Sequence, residues 1–375
     1  AVMGVERYMD FYLRGQDGWR EIERDGHRRE LAQFRQREVN PTHGLNIELT
    51  IDFIAQHIIE DELNSLASTF QPQSAAIVVS DPSTGYLLAL ANWPTFDLNE
   101  FWKYPINTHR NRAVSDAVEP GSTFKMIVAL AGLKHKVINY SKTKFCEGKI
   151  EFGDRLYHCW KEKGHGSMNI ENAIKESCDV FFYELSKKIG IDKIAQMAKE
   201  FGLGEKYQIG FENEKQGIVP SKKWKREILQ ASWYDGETLI TAIGQGYLLA
   251  TPLQLAVMTA RIASNGKKID PTIFKRTEKK EFDKIPNINN HIDLINRAMF
   301  KVVNEHKGTA NRSKSEEYSF SGKTGTSQVR KITIEERESE DYKKKDIEWK
   351  NQDHALFVGY TPSENPKYAI SVVIE

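Results

Sequence analysis

The chain has 375 residues, of which 39% are hydrophobic and 28% are charged, so it can bury a large core in one big domain, with or without an appendage. Its 53 basic and 52 acidic residues leave a net charge of +1, which excludes the basic footprint of a nucleic-acid-binding protein and an acidic tail. No apolar run approaches the roughly 20 residues of a membrane span, and no signal peptide begins the chain.

The first part of the chain predicts an appendage. Residues 4–14 suggest a short helix, residues 18–40 are polar, and Asp25-Gly26 predicts a hairpin turn. Too few apolar residues lie here to form a separate core. We therefore predict that residues 1–44 are the remnant of a larger N-terminal module and that the main domain spans residues 45–375.

Periodic apolar residues predict the first elements of the main domain. The alternation from Leu45 to Ile51 predicts a strand, and residues 53–69 predict an amphipathic helix. Residues 74–80 and 86–92 flank a turn rich in Pro, Ser and Gly, which predicts a β-hairpin covered by helices.

The turn at residues 119–121, followed by an apolar run, predicts a helix whose first turn contains Ser122. Lys125 lies on the same face, within reach of the serine hydroxyl. The unpaired N–H groups of a helix N-terminus favour an oxyanion, and burial lowers the pKa of a lysine so that its neutral amine can act as a base. Ser122 is therefore a candidate nucleophile. The alternative is an N-cap serine with a lysine that reaches solvent.

The rest of the chain alternates helices with irregular stretches and ends in strands. Residues 141–168 read as irregular, and residues 202–220 and 276–292 read as loops. Helices are predicted at 169–189, 191–202, 250–265 and 293–306, and strands at 318–326, 355–360 and 368–374. A hairpin followed by helices and then by more strands predicts an α/β fold with a largely antiparallel sheet and the Ser122 helix at its centre.

Two segments near the C-terminal end each lead to a prediction of their own. Residues 330–352 are dense in charge and predict a solvated, mobile insertion. The strand at residues 368–374 lacks an onward connection, which predicts that the chain is trimmed at this end.

Two later stretches carry further reactive groups. Ser177-Cys-Asp179 opens an aromatic helix, and by itself it predicts only a helix cap. Residues 321–326 place Lys323 and two threonine hydroxyls on a strand edge, where Gly325 leaves room for the backbone of a ligand. A phosphate-binding loop is excluded because its first glycine would fall at Glu317.

These stretches occur in the order Ser-x-x-Lys, Ser-x-Asp and Lys-Thr-Gly, the three motifs of penicillin-binding proteins and serine β-lactamases. Three ordered matches are far more specific than one. The chain resembles a class B penicillin-binding protein, and most closely the elongation subgroup known as penicillin-binding protein 2. The resemblance covers roughly residues 45–375, and Gly4–Gly15 resembles the end of the N-terminal pedestal. Supporting stretches are Gly164-His-Gly166, Gly217-Ile-Val-Pro220, residues 244–256, Gly308-Thr-Ala310 and residues 354–360.

The resemblance implies a transpeptidase fold, with a mainly antiparallel five-stranded sheet flanked by helices. It also implies that Ser122 attacks the carbonyl between the two terminal D-alanines of a peptidoglycan stem peptide, with Lys125 taking its proton. Ser177 would relay a proton to the leaving amine, and Asp179 would orient it. Many relatives carry Asn at the position of Asp179, and the aspartate would favour protonated lysines beside it.

The third motif would bind the substrate. By resemblance, Lys323 and Thr324 would hold the substrate carboxylate beside Gly325. Thr326 would pair with the substrate backbone, and its N–H would form an oxyanion hole together with that of Ser122. No cofactor is required for this chemistry, and β-lactams would acylate the same serine.

Three cysteines and two histidines are concentrated in residues 146–178. The spacing Cys146-x12-Cys159-x5-His165-x12-Cys178 suits a closed tetrahedral zinc site beside Ser177. Some members of the resembled subgroup bind a metal in this loop. The alternatives are a Cys146–Cys159 disulfide with a free Cys178, or no bond at all. His158 is a possible substitute ligand.

The sequence leaves other functions open. A D,D-carboxypeptidase, a serine β-lactamase or a β-lactam sensor would share the three motifs. The Glu-x-x-Leu-Asn carboxylate motif of class A β-lactamases is matched only at residues 60–64, upstream of Ser122 and therefore misplaced.

The resemblance also implies a place in the cell. The site would face the periplasm at the inner membrane, with the full-length protein anchored by an N-terminal helix that this chain lacks. The implied partners are a polytopic glycan polymerase of the shape-elongation-division-sporulation family and a rod-shape scaffold protein.

Overall fold

The computed structural model describes residues 4–31, 37–327 and 353–375. Its described strands are β1 (Trp19–Arg20), β2 (Glu38–Val39), β3 (Ala75–Ser80), β4 (Leu87–Trp93), β5 (Lys144–Cys146), β6 (Lys149–Phe152), β7 (Arg155–His158), β8 (Gly166–Met168), β9 (Ser321–Ser327), β10 (His354–Thr361) and β11 (Tyr368–Ile374). The central sheet has five strands in the order β4-β3-β11-β10-β9, and every neighbouring pair is antiparallel. The predicted α/β class and five-stranded antiparallel sheet are confirmed.

The described helices surround this sheet. They are α1 (Gly4–Tyr8), α2 (Asp10–Leu13), α3 (Phe53–Phe70), α4 (Arg112–Ser115), α5 (Lys125–Lys134), α6 (Ile170–Lys175), α7 (Asp179–Ile189), α8 (Ile191–Glu200), α9 (Lys222–Ile228), α10 (Asp235–Ala242), α11 (Pro252–Ala263) and α12 (Asn289–Asn304). A 3₁₀ turn, Gly121–Phe124, leads directly into α5. Within the three described ranges, no helix has the length and apolar character needed to cross a bilayer.

Two of the described helices, α5 and α11, are almost entirely buried. Helix α5 is buried from Lys125 to Leu133 and packs among α7, α8 and α12. Helix α11 is buried over its whole length and packs on β3, β10 and β11. The prediction of one central helix was therefore incomplete, because a sheet whose inner strands are apolar needs a second apolar helix to cover them.

The two edge strands of the sheet, β4 and β9, have different surroundings. The free edge of β4 is closed by α3, since the Gln56 side chain bonds to both the N–H and the C=O of Leu90, and the Asp52 N–H bonds to the C=O of Leu88. Such pairing blocks the edge from further strands. The other edge is β9, which carries the third motif, as predicted.

The first residues of the chain contact residues after position 200. Tyr8 stacks on Phe274 at 5.9 Å between ring centroids, and Arg7 forms an ion pair with a surface glutamate. The helix predicted at 4–14 occurs as α1 and α2, and the chain turns at Asp25 as predicted. The strand predicted from Leu45 was wrong, because this segment forms only one bridge, at Leu49, and its leucines are exposed.

Two further predictions need correction. The stretch 141–168 is not irregular but holds β5 to β8, in two short ladders. Residues 169–189 form two helices rather than one, and α9 and α10 were not predicted. The charged segment predicted at 330–352 lies outside the described residues.

Candidate active site

The turn that carries Ser122 is fixed against strand β9. Ser122 is half-buried in the 3₁₀ turn that opens α5. Gly121 has φ +53°, and a Cβ at this position would lie 2.3 Å from the carbonyl oxygen of Thr326. Only glycine permits so close an approach of two backbones. The turn and the strand therefore hold a constant relative position.

A second glycine supports the turn from behind. The Gly121 N–H donates to the Gly244 carbonyl at 2.9 Å, and a Cβ on Gly244 would lie 1.9 Å from the carbonyl oxygen of Gly121. The loop that begins at Gly244 is tied to the turn again by the Gly246 N–H, which donates to the Glu119 carboxylate at 2.9 Å. Burial raises the pKa of Glu119, although this bond and one from Ser327 act in the opposite direction.

Substituting Gly244→Ala is expected to destabilise the protein by about 3 kcal/mol or more and to slow acylation of Ser122. The new methyl group would meet the backbone of the turn, and φ is +79° at this position. Gly190→Ala is a matched control, because Gly190 also has φ +79° but nothing lies within 4 Å of its Cβ position. Urea unfolding measures the two losses. An equal loss in both variants would show that the contact with the turn has no effect.

Lys125 is fully buried and bonded to the second motif. Its amine donates to Asp179 Oδ1 at 2.6 Å, to the Ser177 carbonyl at 2.9 Å and to Ser177 Oγ at 3.1 Å. Within the described residues, no hydrogen bond joins this amine to the Ser122 hydroxyl. The amine of Lys125, which is the predicted base for Ser122, is therefore bonded to Asp179 and Ser177 in this structure.

Lys323 reaches the same hydroxyl from the sheet. Its amine donates to Ser177 Oγ at 3.0 Å and to the Thr324 carbonyl at 2.9 Å. Burial lowers the pKa of Lys323 well below its usual value, the nearby Lys125 lowers it further, and Asp179 acts in the opposite direction. The structure thus brings the lysines of the first and third motifs to one oxygen atom of the second.

Ser177 has an unusual backbone conformation. It lies between α6 and α7 with φ +56°, in the left-handed region that non-glycine residues rarely adopt. This conformation breaks the helix predicted at 169–189. Backbone strain of this kind concentrates at functional sites.

The two threonines of the third motif have different surroundings. Thr324 Oγ1 is 2.6 Å from Thr309 Oγ1, a contact that sequence reasoning missed although the Gly308-Thr-Ala310 stretch had been noted. Thr326 is exposed at the strand edge. The missing Cβ of Gly325 makes room for the turn before Ser122, because a Cβ there would lie 2.9 Å from Thr123 Cγ2 and 3.0 Å from the Pro120 carbonyl oxygen, and the expected room for a ligand backbone stays a prediction.

The four predicted metal ligands form one cluster. One ligand atom from each of Cys146, Cys159, His165 and Cys178 lies within 4.8 Å of all the others, and the three cysteines are buried and unpaired. His165 Nδ1 lies 3.6 Å from the sulfur of Cys146 and 3.5 Å from that of Cys159. A hydrogen bond from Cys178 lowers the pKa of Cys159 to about 2. This buried donor set of three sulfurs and one imidazole fits a tetrahedral zinc ion.

Comparisons with known proteins show the family of the chain. Residues 75–375 match the family described as the penicillin-binding protein transpeptidase domain. The chain is 32% identical over 398 residues to the peptidoglycan D,D-transpeptidase MrdA of Salmonella typhimurium. That match covers 99% of this chain but only 62% of the relative, so the chain spans less than two thirds of that protein.

Two solved structures show the same fold. One is a complex between penicillin-binding protein 2 and MreC from Helicobacter pylori, with a TM-score of 0.84 and 32% identity over 100% of this chain and 68% of the other. The second concerns the coordination of polymerisation and cross-linking by a peptidoglycan synthase complex, with a TM-score of 0.82 and 30% identity over 99% of this chain and 66% of the other.

Proposed function

The chain belongs to the penicillin-binding protein transpeptidase family, and on that premise we propose that it is a serine D,D-transpeptidase that cross-links peptidoglycan stem peptides during cell elongation. The observation that carries the proposal is the meeting of Lys125 and Lys323 at Ser177 Oγ, beside the turn of Ser122. Substrate, acceptor and whole-protein activity are parts of this proposal.

We propose the following acylation step. Ser122 Oγ attacks the carbonyl carbon between the two terminal D-alanines, and its proton passes to the amine of Lys125. Lys125 takes part in this step as a neutral amine. Ser177 Oγ, which bonds to both lysines, is placed to relay a proton to the leaving D-alanine.

The charge that develops on the substrate carbonyl is stabilised by the backbone. The N–H groups of Ser122 and Thr326 are proposed to donate to the oxyanion, and each donor of this kind contributes about 3 kcal/mol. The close packing of Gly121 on Thr326 keeps the two donors together. An amine from a neighbouring stem peptide then attacks the ester carbonyl, releases Ser122 and forms the cross-link.

Lys323 and Thr324 are proposed to bind the terminal carboxylate of the donor peptide. Because burial keeps the pKa of Lys323 low in the free protein, an arriving carboxylate would raise that pKa and favour the charged amine. The exposed Thr326 lies on the free edge of β9, where the donor peptide can pair as an added strand.

The fate of the acyl-enzyme separates this function from the alternatives. A stem peptide ending in D-Ala-D-Ala is incubated with the protein and a D-amino acid acceptor, and the products are identified by mass spectrometry. We expect release of D-alanine and exchange for the acceptor. Release without exchange would indicate a carboxypeptidase. Rapid hydrolysis of a penicilloyl adduct would indicate a β-lactamase, and a stable adduct without peptide turnover would indicate a sensor.

We also propose that the Cys146, Cys159, His165 and Cys178 cluster holds a structural zinc ion. The ion would hold together the segments that carry these ligands, and Cys178 lies between Ser177 and Asp179. Its chemistry would be structural, because the donor set leaves no open coordination position. The predicted alternative of a Cys146–Cys159 disulfide has no support, since both cysteines are free.

Removing one ligand of the cluster is expected to lower both metal content and stability. Purified protein should contain about one zinc per chain, and His165→Ala should lose it and unfold at a temperature several degrees lower. His158→Ala is the matched control and should keep the metal. Elemental analysis and thermal unfolding measure both effects, and equal zinc contents in the two variants would exclude His165 as a ligand.

The partners and location remain proposals based on the relatives. The Helicobacter pylori protein is seen with MreC, and the second structure concerns a synthase complex. We propose that this protein likewise acts with a rod-shape scaffold protein and a glycan polymerase at the periplasmic face of the inner membrane. An N-terminal helix of the full-length protein would anchor it there.

A further inference from the structure

Trp160 is more exposed than its hydrogen bonds would suggest. Its side chain is 60% exposed, so burial of its large ring does not explain its presence. The indole N–H donates to the carbonyls of Glu176 and Ser177, each at 3.1 Å. The backbone N–H of Trp160 donates to Asp179 Oδ2 at 2.9 Å. One residue thus bonds to three positions in and beside the second motif, Glu176, Ser177 and Asp179.

These bonds act on groups that Lys125 also touches. The Ser177 carbonyl accepts from both Trp160 Nε1 and Lys125 Nζ, while the two oxygens of Asp179 accept from the Trp160 backbone and from Lys125. Ser177 is held at φ +56°, and a strained conformation persists only when its surroundings fix it. The donors that fix its carbonyl are Trp160 and Lys125.

Trp160 also faces the cysteine and histidine cluster. It follows Cys159 in the chain, and its ring meets the His165 ring edge-on at 5.4 Å between centroids. The position of Trp160 is therefore set on one side by the cluster and on the other by the second motif.

We propose that Trp160 is a positioning residue that holds Ser177 and Asp179 in the arrangement that Lys125 requires. Its effect on acylation rests on the proposed function, whereas its effect on the Ser177 backbone does not. Trp160 acts through its indole N–H on the Ser177 carbonyl and through its backbone N–H on the Asp179 carboxylate, and no step of the reaction passes through the ring.

Trp160→Phe tests this inference, because it keeps an aromatic ring and the backbone N–H but removes the indole donor. Trp102→Phe is the matched control, since Trp102 is 66% exposed and lies on a separate 3₁₀ turn. Hydrogen–deuterium exchange of peptides covering residues 174–182 measures the effect on the backbone. Rapid mixing with a fluorescent penicillin separates the dissociation constant of the first complex from the rate constant of acylation.

For Trp160→Phe we expect faster exchange around Ser177 and an acylation rate constant about tenfold lower, with the dissociation constant and the melting temperature close to those of the wild type. Trp102→Phe should change none of these. Unchanged exchange would overturn the inference, and so would faster exchange with unchanged acylation. A loss confined to the dissociation constant would make the ring a ligand contact instead. If exchange rises but the wild type is never acylated, the proposed function fails while the hold on Ser177 stands.

Discussion

Replacing Lys125 with methionine is expected to lower the rate of acylation by a fluorescent penicillin about 10³-fold, since a general base contributes about 10²–10⁴. The substitution also leaves the largely buried Asp179 carboxylate without its ion-pair partner. Breaking a buried pair on one side costs about 3–5 kcal/mol. Loss of activity in this variant alone would therefore mix catalysis with stability.

The double variant Lys125→Met, Asp179→Asn separates the two effects. It removes the unpaired carboxylate charge of residue 179, so most of the lost free energy of unfolding should return while the rate of acylation stays low. Asp179→Asn alone provides the comparison, because an amide oxygen can still accept from Lys125. If the double variant reacted as fast as Asp179→Asn, Lys125 would not be the base.

Lys323→Met is expected to reduce the second-order rate constant of penicillin acylation about 100-fold, because a charge-assisted bond to the ligand carboxylate is lost. A penicillin whose carboxylate is esterified is the matched ligand control. It cannot form that bond, so wild type and variant should react with it at similar rates. An equal loss with both ligands would contradict a carboxylate-binding role.

The free energies of unfolding of the wild type and of Lys323→Met should also depend differently on pH. Burial lowers the pKa of Lys323 below the unfolded value of 10.5, so between the two values unfolding takes up a proton. The free energy of unfolding of the wild type should therefore rise relative to that of Lys323→Met as the pH is raised towards 10.5. Below the folded-state pKa the difference should be constant. Urea unfolding at several pH values measures it.

Much of the candidate site could be predicted because each motif is local. Ser122 and Lys125 are three residues apart and a strand edge carries Lys323, and the resemblance of the three ordered motifs to a known family placed these residues in one site. The contacts between motifs could not be read in the same way. Lys125 and Lys323 lie 52 and 146 residues from Ser177, and no local periodicity reports such a contact.

Other contacts and elements were missed or wrongly predicted because they depend on tertiary packing. The Thr309 hydroxyl and the Trp160 indole act through partners that only tertiary packing brings near. The alternation from Leu45 predicted a strand, but no neighbouring strand pairs with it beyond one bridge. Helices α9 and α10 were not predicted. Helix α9 is short and charged, and its buried residue, Lys225, forms an ion pair with Glu237, so the sequence of this helix shows no apolar periodicity.

The cysteine and histidine cluster shows what spacing can and cannot establish. Concentration of the three cysteines and His165 in one segment predicted their meeting, and the structure brings one atom of each within 4.8 Å of the others. Spacing alone did not decide between a metal site and a disulfide. In the structure Cys146 and Cys159 form no disulfide, and the zinc ion stays a proposal.

Identification of the residue that a penicillin modifies tests the central claim most directly. The protein is treated with benzylpenicillin, its intact mass is measured, and the modified peptide is sequenced by mass spectrometry. The account predicts a single penicilloyl group on Ser122 that persists after free penicillin is removed, and none on Ser122→Ala. A protein that gains no mass, or that carries the group on a residue other than Ser122, would contradict it.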